Sequence, residues 1–402
     1  MSAIHGRIAA FAIGVILAGT AVASAKPHPM KHTAPGLGPV VQDALGGTIF
    51  GWDINQNGSD GLLSETVFEN RPPYFLNAIE TFDEPSAKIV KVVRTTRTEG
   101  NGPLPFVYAI AGNDVGIIDD QYYFVKNSQI VRDDKFLEMS PVSGNKITGS
   151  SKPPHNLGMV PSFMTNNEAS SSQSLMEFGS GSQGAPIARM FVYDVARDVW
   201  GSPFNWPPNN VAISGLPNGY LLYAAEDTKD NVAVVSFQTY PYLQQDPGWF
   251  DEFDAKTGVL LRLFHGLGAG FSNGMAIDST TGILCSTAQD MSVGFYNVST
   301  GKGFIVQIPV YHGGGPLTNG AAVAVDQVNH LFLVAQLNST FDPNGGSTVI
   351  VYDEQGNLIE AINGFNFLNR FSPVVVHIAV NGTTREGFVP APNGGELQSF
   401  TY

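Results

Sequence analysis

One pattern is written twice between Phe264 and Gly364, and it decides the fold. The first copy is FHGLGAGFSNGMAID at residues 264–278, and the second is YHGGGPLTNGAAVAVD at residues 311–326. Matched residues in the two copies lie 46 to 48 positions apart. A period of this size, built from short β-rich runs, is typical of a propeller blade. The sequence therefore predicts an all-β protein with the β-propeller fold.

A second pattern gives the number of blades. An aromatic residue followed by Asp or Asn, a polar turn and a returning strand recurs at Phe82-Asp83, Tyr193-Asp194, Phe253-Asp254, Tyr296-Asn297 and Tyr352-Asp353. We expect the ring to pack between neighbouring sheets and the Asp or Asn to bond its own backbone in the turn. The interval between the copies at Phe82 and Tyr193 is about twice as long as the others, which predicts a degenerate blade at residues 106–147. Seven blades are preferred, and six are the alternative if residues 49–97 form a single irregular blade.

The ends of the chain are expected to meet. The last segment, residues 372–402, offers only three strands, so its blade needs a fourth from elsewhere. Residues 47–53, GTIFGWD, are the predicted N-terminal donor. Closure by this strand would remove both open sheet edges. Residues 46–402 are therefore predicted to be one propeller domain.

The N-terminus has the pattern of a secretory signal peptide. Residues 1–25 contain Arg7, an apolar run from Ile8 to Val22 and the small-residue end Ala23-Ser24-Ala25. This predicts cleavage after Ala25 and a secreted or periplasmic product. No later stretch is long and apolar enough for a membrane span. Residues 26–45 are predicted to be a flexible Pro-rich arm.

Composition limits the class of partner. Without the signal peptide, 20 Lys and Arg face 35 Asp and Glu, a formal charge of −15. An acidic surface argues against nucleic acid and anionic lipid as partners. The single cysteine, Cys285, cannot form an internal disulfide and is expected to be buried and inert.

The repeat also supplies candidate ligand-binding residues. Segments 265–273 and 312–319 are predicted to join the outer strand of one blade to the inner strand of the next. They would direct His265, Asn273, His312 and Asn319 toward a common axial pocket. Imidazole nitrogens and amide oxygens suit a metal or a polyol or lactone ligand. The alternative is that these residues only form turns and cap strands in each blade.

A third motif lies near the N-terminus. Asp53, Asn55 and Asn57 have the Asp-x-Asn-x-Asn-Gly spacing of a calcium loop. An EF-hand would require Glu at the twelfth position, where Ser64 stands. A polar hairpin turn is therefore the preferred interpretation, and a calcium-stabilised loop is the alternative.

The C-terminal half resembles the repeats of NHL-type and YVTN-type propellers. The resemblance rests on residues 323–326, VAVD, residues 329–335, NHLFLVA, and residues 349–353, VIVYD. Those families include binding modules, scaffolds and enzymes, so the fold alone does not carry a function.

Gluconolactonase-like propellers are the enzymatic comparison. Their family pattern implies one divalent cation held by Glu, two Asn and Asp, and residues 272–274, SNG, are similar to one Asn position. Asn273 is thus a metal candidate, but Asn319 stands where the next blade would supply Asp, and no segment supplies the Glu. Two hypotheses follow: a module that binds a protein, saccharide or small molecule, and alternatively a lactonase that uses Ca²⁺ or another divalent cation.

Overall fold

The structure of the chain is a computed structural model. It describes residues 36–70, 73–99, 115–118, 121–125, 130–133, 147–151, 163–180, 186–206, 220–238, 247–269, 272–288, 292–307, 320–336, 346–365, 377–391 and 395–402. Within these ranges, every regular element is a β-strand except a single 3-10 turn at Glu168–Ser170. The all-β prediction is confirmed.

The strands form seven sheets, which we number as blades in chain order. Blade 1 contains β2 Thr48–Ile54, β3 Asp60–Asn70, β4 Pro73–Asp83 and β5 Lys88–Glu99. Blade 2 contains β6 Val115–Ile118, β7 Gln121–Val125, β8 Ile130–Asp133 and β9 Ile147–Ser151. Blade 3 contains β10 Phe163–Asn167, β11 Ser172–Ser180, β12 Pro186–Asp194, β13 Val199–Trp200 and β14 Phe204–Trp206. Blade 4 contains β15 Tyr220–Asp227, β16 Val232–Gln238, β17 Pro247–Asp254 and β18 Leu260–Ala269. Blade 5 contains β19 Ser272–Asp278, β20 Ile283–Ala288, β21 Ser292–Asn297 and β22 Lys302–Gln307. Blade 6 contains β23 Gly320–Asp326, β24 Leu331–Gln336, β25 Ser347–Asp353 and β26 Leu358–Phe365. Blade 7 contains β27 Ala379–Asn381, β28 Glu386–Pro390, β29 Glu396–Thr401 and the N-terminal β1 Leu37–Gln42.

The blades are arranged in a ring. The first strand of each blade contacts the first strand of the next, in the order β2, β6, β10, β15, β19, β23 and β27, and β27 contacts β2 again. These seven inner strands surround the axis, and the later strands of each sheet lie progressively outward. The propeller prediction is therefore confirmed. Residues 49–97 do lie in one blade, but 115–151 form a separate blade that overlaps the predicted degenerate one.

The strand that closes the ring is not the predicted one. Residues 47–53 contribute to β2, the inner strand of blade 1, whereas β1 pairs with β29 as the outermost strand of blade 7. Residues 37–42, predicted as part of the flexible arm, are thus a strand. In the sequence, Pro39 argues against a strand, because proline has no N–H group to donate. An outermost strand forms hydrogen bonds on one side only and therefore tolerates proline. Residues 43–45 of the predicted arm are also described, and residues 26–35 and the signal peptide lie outside the described residues.

Apolar and aromatic side chains fill the space between adjacent blades. Trp52 of blade 1 packs beside blade 7 and its Nε1 donates to the Phe388 carbonyl at 3.2 Å. Tyr352 of blade 6 packs edge-on against Phe295 of blade 5, with ring centroids 6.1 Å apart. Cys285 is fully buried in the same layer as Phe295, and burial raises the pKa of its thiol. The predicted buried cysteine is confirmed.

The aromatic-Asp/Asn pattern has the predicted structural role. Two of the rings each pack against an aromatic ring of the preceding blade: Phe82 lies edge-on to Phe388 of blade 7, and Phe253 stacks on Phe204 of blade 3. In all five copies the following Asp or Asn accepts a hydrogen bond from a backbone N–H two or three residues later, at Asp83, Asp194, Asp254, Asn297 and Asp353. These side chains define the turn between the third and fourth strands, so local chemistry sets each outer hairpin.

Within the described ranges, no helix has the length and apolar character required to cross a membrane.

Candidate functional site

An axial cavity of about 450 Å³ lies among the inner strands. All seven blades contribute to its wall. The residues come from the inner strands β2, β6, β10, β15, β19, β23 and β27 or from the segments next to them. Much of the wall consists of small side chains, including Ala224, Gly274, Ala322 and Ala324. A Cβ on Gly274 would lie 2.7 Å from the Val323 nitrogen, so β19 and β23 approach closely only because this residue is glycine. Small residues near the axis therefore create the open space.

Five side-chain amides line the cavity at or just after the carboxyl ends of β2, β10 and β23, and we call them the amide floor: Gln56, Asn57, Asn166, Asn167 and Gln327. Asn167 Nδ2 donates to the Glu226 carbonyl at 2.8 Å. Gln327 Nε2 donates to the Ile277 carbonyl at 2.8 Å and to Asn167 Oδ1 at 3.3 Å. Because β10 and β23 are not neighbours in the ring, this last contact spans the axis. The amide floor therefore joins inner strands from opposite sides of the propeller.

Asp53 places a carboxyl group at the edge of the amide floor. It lies one residue before the end of β2, and its oxygens accept hydrogen bonds from Ile54 N, Ile117 N and Asn166 Nδ2 at 2.9, 2.9 and 3.0 Å. Burial raises the pKa of Asp53 to about 7, although these three bonds act in the opposite direction. Asp53 thus ties blade 1 to blades 2 and 3.

Glu226 is the second carboxyl group of the cavity. Its side chain is 1% exposed, and Thr165 Oγ1 donates to its Oε2 atom. Among the described residues, its Oε1 atom has no hydrogen-bond partner. Burial raises the pKa of Glu226 to about 7, while the Thr165 and Ser174 hydroxyls oppose this shift. A buried acceptor without a partner is costly, so Oε1 is suited to a hydrogen-bond donor on a ligand.

His377 contributes an imidazole ring to the wall. It precedes β27 and packs edge-on against Trp52, with ring centroids 5.3 Å apart. Desolvation lowers the pKa of His377 to about 4, so the ring is neutral near pH 7. The cavity therefore combines two carboxyl groups with pKa values near 7, a neutral imidazole and several amides. This set can donate and accept hydrogen bonds and could transfer protons.

The residues predicted from the repeat are located as follows. His265 lies on the outer strand β18, opposite Trp249 of β17, and Asn273 is the second residue of the inner strand β19. The structure describes their backbones only. His312 and Asn319 lie outside the described residues, so convergence of the four side chains stays a prediction. Gly274, which follows Asn273, lines the cavity.

The predicted calcium motif forms the hairpin between β2 and β3. Asn55 Oδ1 accepts from Asn57 N at 3.0 Å, and Asn55 Nδ2 donates to Asp60 Oδ1 at 2.9 Å. The Asp53 carboxylate instead points toward blade 2, where it accepts from Ile117 N. These contacts form a polar hairpin turn, Asp53 and Asn57 both line the cavity, and the calcium-stabilised loop stays a prediction.

Sequence reasoning missed the main cavity residues for an identifiable reason. The polar run at 166–172 predicts a loop, whereas Asn166 and Asn167 end the inner strand β10. A usable signal was present, because most described inner strands end in an Asp or Asn whose side chain accepts from the following turn, as at Asn167, Asp227, Asp278, Asp326 and Asn381. Aligning the chain on that residue would have placed Glu226 beside the axis.

One carboxylate–histidine group has the spacing of a metal site. Among the described residues, only the ligand atoms of Asp278, His330 and Glu354 form such a group, all within 4.8 Å of one another. The group lies outside the cavity. Nδ1 of His330 is 2.7 Å from Oδ2 of Asp278, and Thr281 Oγ1 donates to Glu354. The contact with Asp278 raises the pKa of His330, so the group is explained as an ion pair between blades 5 and 6.

A scan against protein-family models finds no match, and a search of curated proteins finds none at a significant level.

Proposed function

We propose that this protein is an exported β-propeller of the NHL or YVTN type that binds a small, hydroxyl-rich molecule in its axial cavity. The observation that carries the proposal is Glu226, a residue of the cavity wall whose buried Oε1 atom has no hydrogen-bond partner among the described residues. A ligand hydroxyl group would donate to this oxygen. Export is supported by residues 1–25, whose pattern is that of a cleaved signal peptide.

The rest of the cavity supports the same ligand class. Its volume of about 450 Å³ lies in the range of small-molecule sites. The amide floor supplies both donors and acceptors, which matches a saccharide or polyol, and Met275 and Ile378 supply apolar surface for the carbon face of a ring. The carboxyl groups on the wall disfavour anionic ligands.

Ligand binding can be tested directly on the purified protein. Saccharides, sugar alcohols and sugar lactones would be screened by thermal shift, and hits measured by calorimetry. Glu226→Gln removes the charged acceptor and should weaken binding of a hit roughly tenfold or more. Glu84→Gln is the matched control, since Glu84 is also buried with a pKa raised to about 7 but lies outside the cavity. Equal affinities in both variants, or no hit in the screen, would contradict the proposal.

The alternative function is a lactonase of the gluconolactonase type. One observation favours it: Asp53 and Glu226 add to the cavity the carboxyl groups that the repeat lacks. The fit to a divalent cation is incomplete, because Asp53 already accepts three hydrogen bonds and forms no close three-residue ligand group with Glu226 among the described residues. Lactone hydrolysis that is abolished by a chelator would support this alternative over simple binding.

A further inference from the structure

The wall of the axial cavity carries acidic groups without a matching positive charge. Among the described residues that line it, three have carboxyl side chains, Asp53, Glu168 and Glu226, and none is Lys or Arg. The basic side chain of the wall is His377, whose lowered pKa of about 4 keeps it neutral near pH 7. In the described part of the chain, the ion pairs do not include Asp53 or Glu226. A cation that balances these groups would therefore have to come from a ligand.

Glu226 is the acidic group that most needs such a partner. Its Oε2 atom accepts from Thr165, which also lines the cavity, whereas its Oε1 atom is buried without a partner among the described residues. Burial and the negative charge of Asp227 both raise the pKa of Glu226, to about 7. A ligand hydroxyl group would supply the missing hydrogen bond but no charge. An ammonium group would supply both, and hydrogen bonds between charged groups are the stronger kind.

Most donors of the amide floor are already used inside the protein. Three of its amide nitrogens each contact two acceptor oxygens of the protein, those of Asn166, Asn167 and Gln327. An amide nitrogen has two hydrogens, so these three groups have none left for a ligand. An amide oxygen has two lone pairs, and among the described residues Asn166 Oδ1 accepts one bond, from Gln173, and Gln327 Oε1 one bond, from Ser279 N. This part of the floor therefore offers acceptors to a ligand.

We propose that the ligand of the axial cavity carries a protonated amino group, as amino sugars and amino polyols do, and that this group donates to Glu226 Oε1. The proposal rests on the proposed function, a site for a small hydroxyl-rich molecule, and adds the charge of that molecule. An ammonium group has three N–H donors and no acceptor, which matches a wall of carboxyl and amide oxygens. Hydroxyl groups of the same ligand would bind elsewhere on the wall, and the neutral His377 would not repel the cation.

The test compares two pairs of probes in which an ammonium group replaces one hydroxyl group. The pairs are sorbitol with 1-amino-1-deoxysorbitol, and glucose with glucosamine. Calorimetry at pH 7 gives a Kd for each probe, and a chelator in the buffer removes metal ions from the comparison. At this pH the amines are mostly protonated, and Glu226, with a pKa of about 7, ionises at little cost.

Two variants separate the role of Glu226 from a general effect of an acidic protein. Glu226→Gln keeps the side-chain size and removes the charge. Glu84→Gln is the matched control, because Glu84 is also buried with a pKa raised to about 7 but does not line the cavity. Thermal unfolding of each variant shows whether it is folded, and the comparison of the probes in wild type needs no variant.

In wild type and Glu84→Gln, the amine probe of at least one pair should bind about tenfold more tightly than its neutral partner, since a charged hydrogen bond replaces a neutral one. In Glu226→Gln this ratio should fall to about threefold or less. Equal binding within both pairs by wild type would overturn this inference and leave the proposed polyol site standing. A ratio unchanged in Glu226→Gln would overturn the assignment to Glu226. Binding of no probe by wild type would contradict the proposed function itself, so the two failures are distinguishable.

Discussion

Ring closure by β1 can be tested with two adjacent valines. Val41 is fully buried against Trp52 and Leu397, whereas Val40 on the opposite face of the strand is 37% exposed. Val41→Ala removes two buried carbon groups at about 0.8 kcal/mol each. The cavity that remains raises the loss of unfolding free energy to about 2–3 kcal/mol. With an unfolding entropy of about 2.1 cal/mol/K per residue, Tm should fall by about 3 °C.

Val40→Ala is the internal control. Both substitutions remove the same β-branched side chain from the same strand, so strand propensity cancels and the difference between them measures burial. Val40→Ala should cost less than about 0.5 kcal/mol. Urea unfolding at several protein concentrations, with m-values compared, gives both quantities. Equal destabilisation by the two variants would show that β1 is not docked on β29 in solution, and the closure described above would be wrong.

Two further predictions concern single buried positions. Asp251 is 0% exposed, neither of its carboxylate oxygens has a partner in the part of the chain that the structure describes, and burial raises its pKa to about 8. In the unfolded chain the Asp251 carboxyl ionises near its ordinary pKa, so this group destabilises the fold most above pH 8 and least near pH 4. Asp251→Asn should therefore be more stable than wild type at pH 9 by a few kcal/mol, with a gap that narrows as pH falls, and a gap independent of pH in urea titrations would refute this. Gly274→Ala would force a Cβ to 2.7 Å from Val323 N. We therefore expect the free energy of unfolding, measured by thermal unfolding, to fall by about 1–3 kcal/mol and the ligand affinity to fall as well. A variant as stable as wild type would show that β19 and β23 separate easily.

Much of the blade structure was predictable because its causes are local. Asp254 and Asn297 bond backbone N–H groups two or three residues away, and that chemistry is visible in a five-residue window. Alternating apolar residues and a period near 47 then predict sheets of similar size, whose apolar faces must pack against one another. The position of Cys285 followed from the same strand pattern.

Closure and the cavity were not predictable in this way. Leu37–Gln42 becomes a strand because Leu397 and its neighbours in β29 offer an open edge, not because of its own composition. Glu226, Asn167 and Gln327 belong to three blades and meet only when the inner strands surround one axis. Local hydrogen bonds and side-chain periodicity are encoded within a few residues, so the sequence alone determined the blades. The partners of β1 and of the axial side chains are distant in the chain, and only the closed ring brings them within contact.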